Sequence, residues 1–164
     1  MIDRTPKLYI GGKQTRPDSG YSITVLDAHK KVAGEVGHGN RKDIRNAVEA
    51  AHKASAWSSL NGHSRAQVLY FLAENLETRS EEFKNRISVL TGDSADKAKR
   101  QVEASIRRIF SYAAWADKYE GRVHQPPMRG LALAIPEPFG VMGVVASDDQ
   151  PLLGLLSMIL PCIA

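Results

Sequence analysis

The sequence predicts an α/β fold, and three observations carry that expectation. Val141-Met142 and Val144-Val145-Ala146 form a short continuous apolar run, which suits a strand covered on both faces as in a parallel sheet. The run leads through the polar Ser147-Asp148-Asp149-Gln150 into Pro151 and a further apolar stretch to Ala164, the strand–loop–helix order of the first half of a βαβ unit. Upstream, between Asp43 and Gly121, several segments carry apolar residues at helical spacing.

The elements follow in chain order. Leu8 to Gln14, with Gly11-Gly12 between, reads as a small hairpin. Ile23 and Val25 alternate with Ser22 and Thr24 as in a half-buried strand, with Val32 to Val36 as its partner. Ile44, Ala47, Val48 and Ala51 have helical spacing, and Asp43 is placed to cap them. Ser64-x-x-Gln67 is a capping-box pattern, opening a helix whose apolar face carries Val68, Leu72 and Leu76. Phe83, Ile87 and Leu90 define the next helix, closed by Gly92. Ala95, Ala98, Val102, Ile106, Ile109, Ala113 and Ala116 hold one face of a long helix that Gly121 ends. Pro126-Pro127 begins an extended linker, and Leu131 to Ile135 reads as a strand before Pro136. Pro151 sits where a first helical residue is expected, because its fixed φ suits that position and its missing N–H is not needed there. Leu152, Leu153, Leu155, Leu156, Met158, Ile159 and Leu160 then cover all sides of a helix, a pattern that suits burial inside a complete domain.

Bulk properties narrow the function classes. A chain of 164 residues is one domain or a piece of a larger one. The final apolar stretch is broken by Gly154, Ser157 and Pro161 and is too short to span a bilayer. The first residues include Asp3 and Arg4, without the apolar core of a signal peptide. A single cysteine, Cys162, excludes an internal disulfide framework, and a cytoplasmic location is expected. The net charge of +4 is densest at Lys97, Lys99, Arg100, Arg107, Arg108 and Lys118. On a helix, Lys97, Arg100 and Arg107 share a side, which would attract phosphates or simply form a solvated face opposite a core stripe. Without interleaved aromatic residues or a nucleic-acid motif, no nucleic-acid partner is expected. The histidines at 29, 38, 52, 63 and 124 show no metal-ligand spacing with a third ligand, so no metal site is expected.

The segment Glu137-Pro138-Phe139-Gly140-Val141, continuing through the apolar run to Ser147-Asp148-Asp149-Gln150-Pro151, resembles the aldehyde dehydrogenase pattern in which Glu-Pro-x-Gly-Val leads to Pro-Trp-Asn-Phe-Pro. Other stretches agree in order. Leu8-Tyr9-Ile10-Gly11-Gly12-Lys13 is similar to the family's opening hairpin, and Asp43 to Ala51 to its first helix. Trp57 with Arg65 and Leu69 is similar to the second helix, and Thr91-Gly92 to the turn ending the third. Phe110, Tyr112, Ala113, Trp115, Ala116 and Gly121 resemble the long fourth helix. Each motif is weak alone; their collinearity from Lys7 to Ala164 is specific. Arg129-Gly130-Leu131-Ala132-Leu133 followed by Pro136-Glu137-Pro138 looks most like the second, degenerate unit of family 16 aldehyde dehydrogenases.

The resemblance implies an amino-terminal fragment of one dehydrogenase unit. Residues 1–164 then form a partial domain, with a hairpin and helical part of the coenzyme domain over 7–126, an oligomerisation-arm segment over 127–138, and the first Rossmann-like strand and helix over 139–164. It also implies an NAD- or NADP-dependent oxidation of aldehydes to carboxylic acids, in which this piece supplies scaffold and the oxyanion loop. The alternative is a non-catalytic, dehydrogenase-like module kept for assembly or for binding a protein partner. The family's nucleophile and base lie beyond the region of resemblance, so the piece alone is expected to be inactive, and its expected partners are a second copy or the remainder of the unit.

Three candidate sites follow. Cys162, the one thiol, lies in an apolar helical run, where a buried cysteine without a nearby cation is inert. Asp149 stands at the position of the family's oxyanion asparagine, whose amide donates a hydrogen bond; an ionised aspartate has no donor, and Asp149 equally suits a helix cap. Val145, Ala146, Ser147 and Asp148 match positions that line the nicotinamide cofactor in the family, with Ser147 replacing the usual proline and Asp148 the usual tryptophan. Two carboxylates beside a phosphate-bearing ligand oppose its binding, so the fragment alone is not expected to hold NAD or NADP.

Overall fold

A computed structural model describes residues 6–164; Asp3 and Arg4 lie outside them. The chain forms two compact units, the first from the residues up to Ala56 with Glu81–Arg100, the second from Trp57–Ser80 with Gln101–Ala164.

In the first unit, β1 (Leu8–Ile10) and β2 (Lys13–Thr15) form the expected antiparallel hairpin, with Ile10 opposite Lys13. Gly11 and Gly12 both take positive φ, which a two-residue primed turn requires. β3 (Ser22–Leu26) pairs antiparallel with β4 (Val32–Gly37), with a register irregularity at Val25/Leu26. Helix α1 (Arg41–Lys53) is capped by Asn40 rather than by Asp43. Asn40 Oδ1 accepts from the N–H groups of Lys42 and Asp43, and Asp43 Oδ2 accepts in return from Asn40 N at 3.0 Å, a complete capping box. The buried Asp43 carboxylate also accepts the Asp18 N–H with both oxygens, at 3.1 and 3.2 Å, and so ties the 17–20 turn to the start of α1. Helix α3 (Ser80–Thr91) buries Ile87 and ends at Gly92, with φ +74°. The next helix, α4 (Ala95–Ala116), starts in this unit and continues into the second.

A short 3₁₀ turn (Ser55–Trp57) leads from the first unit to helix α2 (Gly62–Thr78) of the second. Asn61 is the N-cap, and its Oδ1 accepts from the Ser64 N–H at 2.8 Å. The expected capping box at Ser64 and Gln67 is therefore displaced by one turn: Ser64 is the donor at the third helical position, and Gln67 contacts His63. The buried stripe of α2 is Ala66, Leu69, Ala73 and Leu76; Val68 and Leu72, expected on it, are exposed. The long-helix stripe is as expected at Ala98, Val102, Ile109, Ala113 and Ala116, while Ile106 is half-buried and Ala95 exposed. Two polar residues, Gln101 and Ser105, are buried on the same stripe. The Tyr70 and Phe110 rings meet at 5.9 Å. The start of α2 runs against the end of α4 so closely that a Cβ on Gly62 would meet the Ala116 carbonyl and lie 2.8 Å from the Asp117 Cα.

After Gly121, β5 (Arg122–His124), not anticipated from the sequence, pairs antiparallel with β6 (Ala132–Ala134). A three-residue strand without large apolar alternation leaves no periodic signal to read. Val123, Leu131, Leu133 and Ile135 around this hairpin are exposed. The expected buried strand at Val141–Ala146 is not formed. Residues 139–150 enter no ladder among the described residues, Phe139 is 97% exposed and Val145 is 91% exposed. The apolar run is present, but a strand is a pairing, and no described strand lies alongside it to exchange hydrogen bonds. The following helix, α5 (Pro151–Ile163), begins at the expected proline and buries Leu156 and Leu160.

Two tests follow from this packing. Gly62→Ala is expected to lower unfolding free energy by about 1–3 kcal/mol through overpacking, read as a lower urea midpoint with unchanged slope. Asp18 forms an exposed ion pair with Lys42, and the hydrogen bond from Lys42 holds its carboxyl below the ordinary 3.8; the same bond holds Lys42 above 10.5. The lowered acid contributes stability above pH 3.8 that disappears as pH falls through its folded value, and the raised base contributes below pH 10.5 until pH rises through its own. The stability difference between the native chain and Asp18→Asn is therefore expected to be flat across neutral pH and to shrink on the acid side below pH 3.8, in denaturation at a series of pH values.

Candidate functional site: the loop into helix α5

The loop 147–150 carries the residues singled out in the sequence. The Ser147 Oγ accepts the Asp149 N–H at 3.3 Å, a local turn that leaves Ser147, Asp148 and Asp149 exposed. Val145 and Ala146 are exposed just before it. These residues are brought together by chain continuity, and among the described residues none is buried. The capping role open to Asp149 is not taken: Gln150 is the N-cap of α5, without a side-chain cap bond.

The helix is held from elsewhere. Pro151 has no N–H, and the first available one, that of Leu152, donates to the Oε1 of Gln101 at 3.2 Å. At the other end, Trp57 Nε1 donates to the Ile163 carbonyl at 3.1 Å and Arg65 Nε to the Ala164 carbonyl at 2.7 Å. Arg65 Nη1 also donates to the Leu60 carbonyl. Three side chains from preceding segments thus satisfy main-chain groups that a helix leaves open at its ends. Sequence reading placed Trp57 and Arg65 on a helix without a task and passed over Gln101. The available signal was a glutamine at helical spacing within a largely apolar stripe, between Ala98 and Ser105.

The start of α5 is the place in this segment where a phosphate-bearing cofactor would sit. Such seats use free N–H groups and tolerate no nearby negative charge. Here Pro151 lacks the N–H, Leu152 has given its own to Gln101, and Asp148 and Asp149 add two carboxylates. The residues present do not fit a dinucleotide phosphate. An open groove in this unit, about 330 Å³, is lined by Ser111, Tyr112 and Trp115 on α4 and contains no residue of the loop. Among the described residues, no three His, Cys, Asp or Glu side chains gather as a metal would require, and no helix is long and apolar enough to cross a membrane.

Cys162 differs from expectation. It lies in the last turn of α5, but on the exposed side, with Sγ 3.2 Å from the Met158 carbonyl. The apolar residues around it in sequence point elsewhere, because Leu156 and Leu160 define the buried side of the helix.

The family model described as the aldehyde dehydrogenase family matches residues 15–164. An aldehyde dehydrogenase of Agaricus bisporus is 32% identical over 162 residues, which cover 96% of this chain and 32% of that protein. PnpE from Pseudomonas sp. WBC-3 superposes with a TM-score of 0.91 at 28% identity, and a structure of PnpE in complex with nicotinamide adenine dinucleotide superposes at 0.92 and 28%. Each superposition covers 97% of this chain and 33% of the other. The chain thus spans about a third of the length of these relatives. The fold is that of the amino-terminal part of an aldehyde dehydrogenase.

The exposed thiol gives a direct check. Cys162 is expected to react with a disulfide reagent such as DTNB in native buffer, at close to one equivalent per chain and without denaturant; protection until unfolding would place it in the core instead.

Proposed function

The chain belongs to the aldehyde dehydrogenase family, and we propose that it acts as the amino-terminal part of one dehydrogenase unit, supplying the helical scaffold and the oxyanion loop of an aldehyde oxidoreductase that uses NAD or NADP. In this reading residues 7–126 are the hairpin and helical part of the coenzyme domain, 127–138 the oligomerisation-arm segment, and 139–164 the segment of the first Rossmann-like strand and its following helix. The subfamily reading is the second, degenerate unit of family 16, on Arg129–Leu133 and Pro136–Pro138.

The observation that carries this reading is the family match over residues 15–164, and the residue that limits it is Asp149. It is exposed in the loop that enters α5, its carboxylate caps nothing, and its N–H is engaged by Ser147 at 3.3 Å. Attack on an aldehyde carbon moves negative charge onto the oxygen, which needs donors. An ionised Asp149 offers none, and its occupied N–H does not substitute. The lost donor is worth about 3–4 kcal/mol. A carboxylate about 4 Å from the oxyanion adds a repulsion of about 4 kcal/mol at an effective dielectric near 20. Cys162 does not replace the absent nucleophile, since roughly 16 Å of helix rise separates it from Pro151. The chain by itself is therefore an inactive piece, and the unit it belongs to is weakened at this loop.

A second reading, a non-catalytic module used for assembly, is favoured by the exposed apolar side chains around β5 and β6 together with the acidic pair. A second copy, the remainder of the unit or another protein would cover that surface, and a cytoplasmic setting suits either reading.

The two readings separate in one experiment. In a polypeptide that contains the complete unit with its own cysteine nucleophile and glutamate base, Asp149→Asn is expected to raise aldehyde oxidation about a hundredfold, since one realised contribution of about 3 kcal/mol suffices at 1.36 kcal/mol per tenfold. Formation of NADH followed at 340 nm reads the change, with the 164-residue chain alone giving none. An unchanged rate with an intact nucleophile would remove the oxyanion reading and leave the assembly module.

A further inference from the structure

The loop 147–150 has little of its own to fix it. It belongs to no ladder, its side chains are exposed, and its internal bond from Asp149 N to Ser147 Oγ fixes its shape rather than its position. The helix it enters receives no cap from it. The long-range polar tie at this end of α5 is the bond from the Leu152 N–H to Gln101, fifty-one residues earlier in the chain. Gln101 is 7% exposed and sits on the buried stripe of α4 beside Val102. Its amide must present oxygen to Leu152, because the partner is a donor. A helix interior is a rigid mount for an acceptor, whereas a loop residue at the N-cap would move with the loop.

We propose that Gln101 is the positioning residue of this loop: a fixed acceptor on α4 that sets where α5 begins and hence where Asp149 stands. The consequence for chemistry rests on the reading of Asp149 as the oxyanion position. The positioning itself does not. A glutamine that merely filled space would be replaced well by methionine, which matches its length and has no acceptor of comparable strength. A glutamine that holds Leu152 would be replaced well by glutamate, whose carboxylate accepts the same N–H and suits a helix N-terminus.

Amide hydrogen exchange on the 164-residue chain, resolved by NMR, separates the two. In Gln101→Met the Leu152 amide is expected to exchange about tenfold faster, while amides in the middle of α2 and α4 keep their rates. In Gln101→Glu the Leu152 rate should return to within about twofold of the native chain. Unchanged exchange at Leu152 in Gln101→Met would overturn the proposal. So would a uniform acceleration through α2 and α4 in both variants, which marks a packing role. The exchange experiment does not depend on turnover: if Gln101→Met frees Leu152 and Gln101→Glu restores it while Asp149→Asn leaves oxidation unchanged, the tie is supported and the oxyanion reading alone falls.

Discussion

Every main-chain N–H and C=O carries a demand for a partner, and how each segment meets that demand decides what this chain forms. A helix meets it internally except for its first N–H and last C=O groups. A strand meets it only through another strand. The helices accordingly form, and three of them have ends closed by identifiable side chains: Asn40 and Asp43 at α1, Asn61 at α2, and Gln101, Trp57 and Arg65 at the two ends of α5. The run from Val141 to Ala146 has the composition of a core strand and no partner among the described residues, so it enters no ladder and is largely exposed.

The same distinction explains what could be read from the sequence. The long α4 stripe was legible because large and small apolar residues recur there over six turns, and the hairpin at Gly11-Gly12 because only glycine takes two successive positive φ values without strain. The capping patterns in the sequence point one turn beyond the caps that form. Asp43 and Ser64 are good capping types, but Asn40 and Asn61 precede them by three residues and do the capping, with the later residue engaged as acceptor or donor at the third helical position. The buried face of α2 also differs from the one its large apolar residues suggest. Val68 and Leu72 have the larger side chains, but Ala66 and Ala73 lie on the buried stripe with Leu69. Gly62 shows how close the backbones come at one end of this helix, and close approach favours small residues at the contact. A count of large apolar residues does not register that preference.

The candidate site was legible in composition and not in geometry. That an ionised carboxylate at Asp149 accepts hydrogen bonds and donates none is a statement about side-chain chemistry that needs no coordinates. Whether that carboxylate also capped α5 was open in the sequence, since aspartate is a favoured cap residue. The structure resolves this through Gln150, which occupies the cap position, and through Gln101, which reaches the helix start from α4. No local pattern could have assigned that task, because the two residues that share the bond are fifty-one positions apart.

The consequence reaches the chemistry of the loop. A carboxylate committed to a helix N-terminus is held by main-chain donors and is a structural feature. A carboxylate relieved of that duty is free to act on whatever approaches the loop. With α5 held at its start by Gln101 and at its end by Trp57 and Arg65, the helix needs nothing from residues 147–149. Those positions can therefore vary in charge and donor capacity without loss of the helix. Asp148 and Asp149 occupy that freedom: they put two carboxylates at the start of a helix that takes no cap from them. The scaffold tolerates the change because the bonds that hold it are made elsewhere.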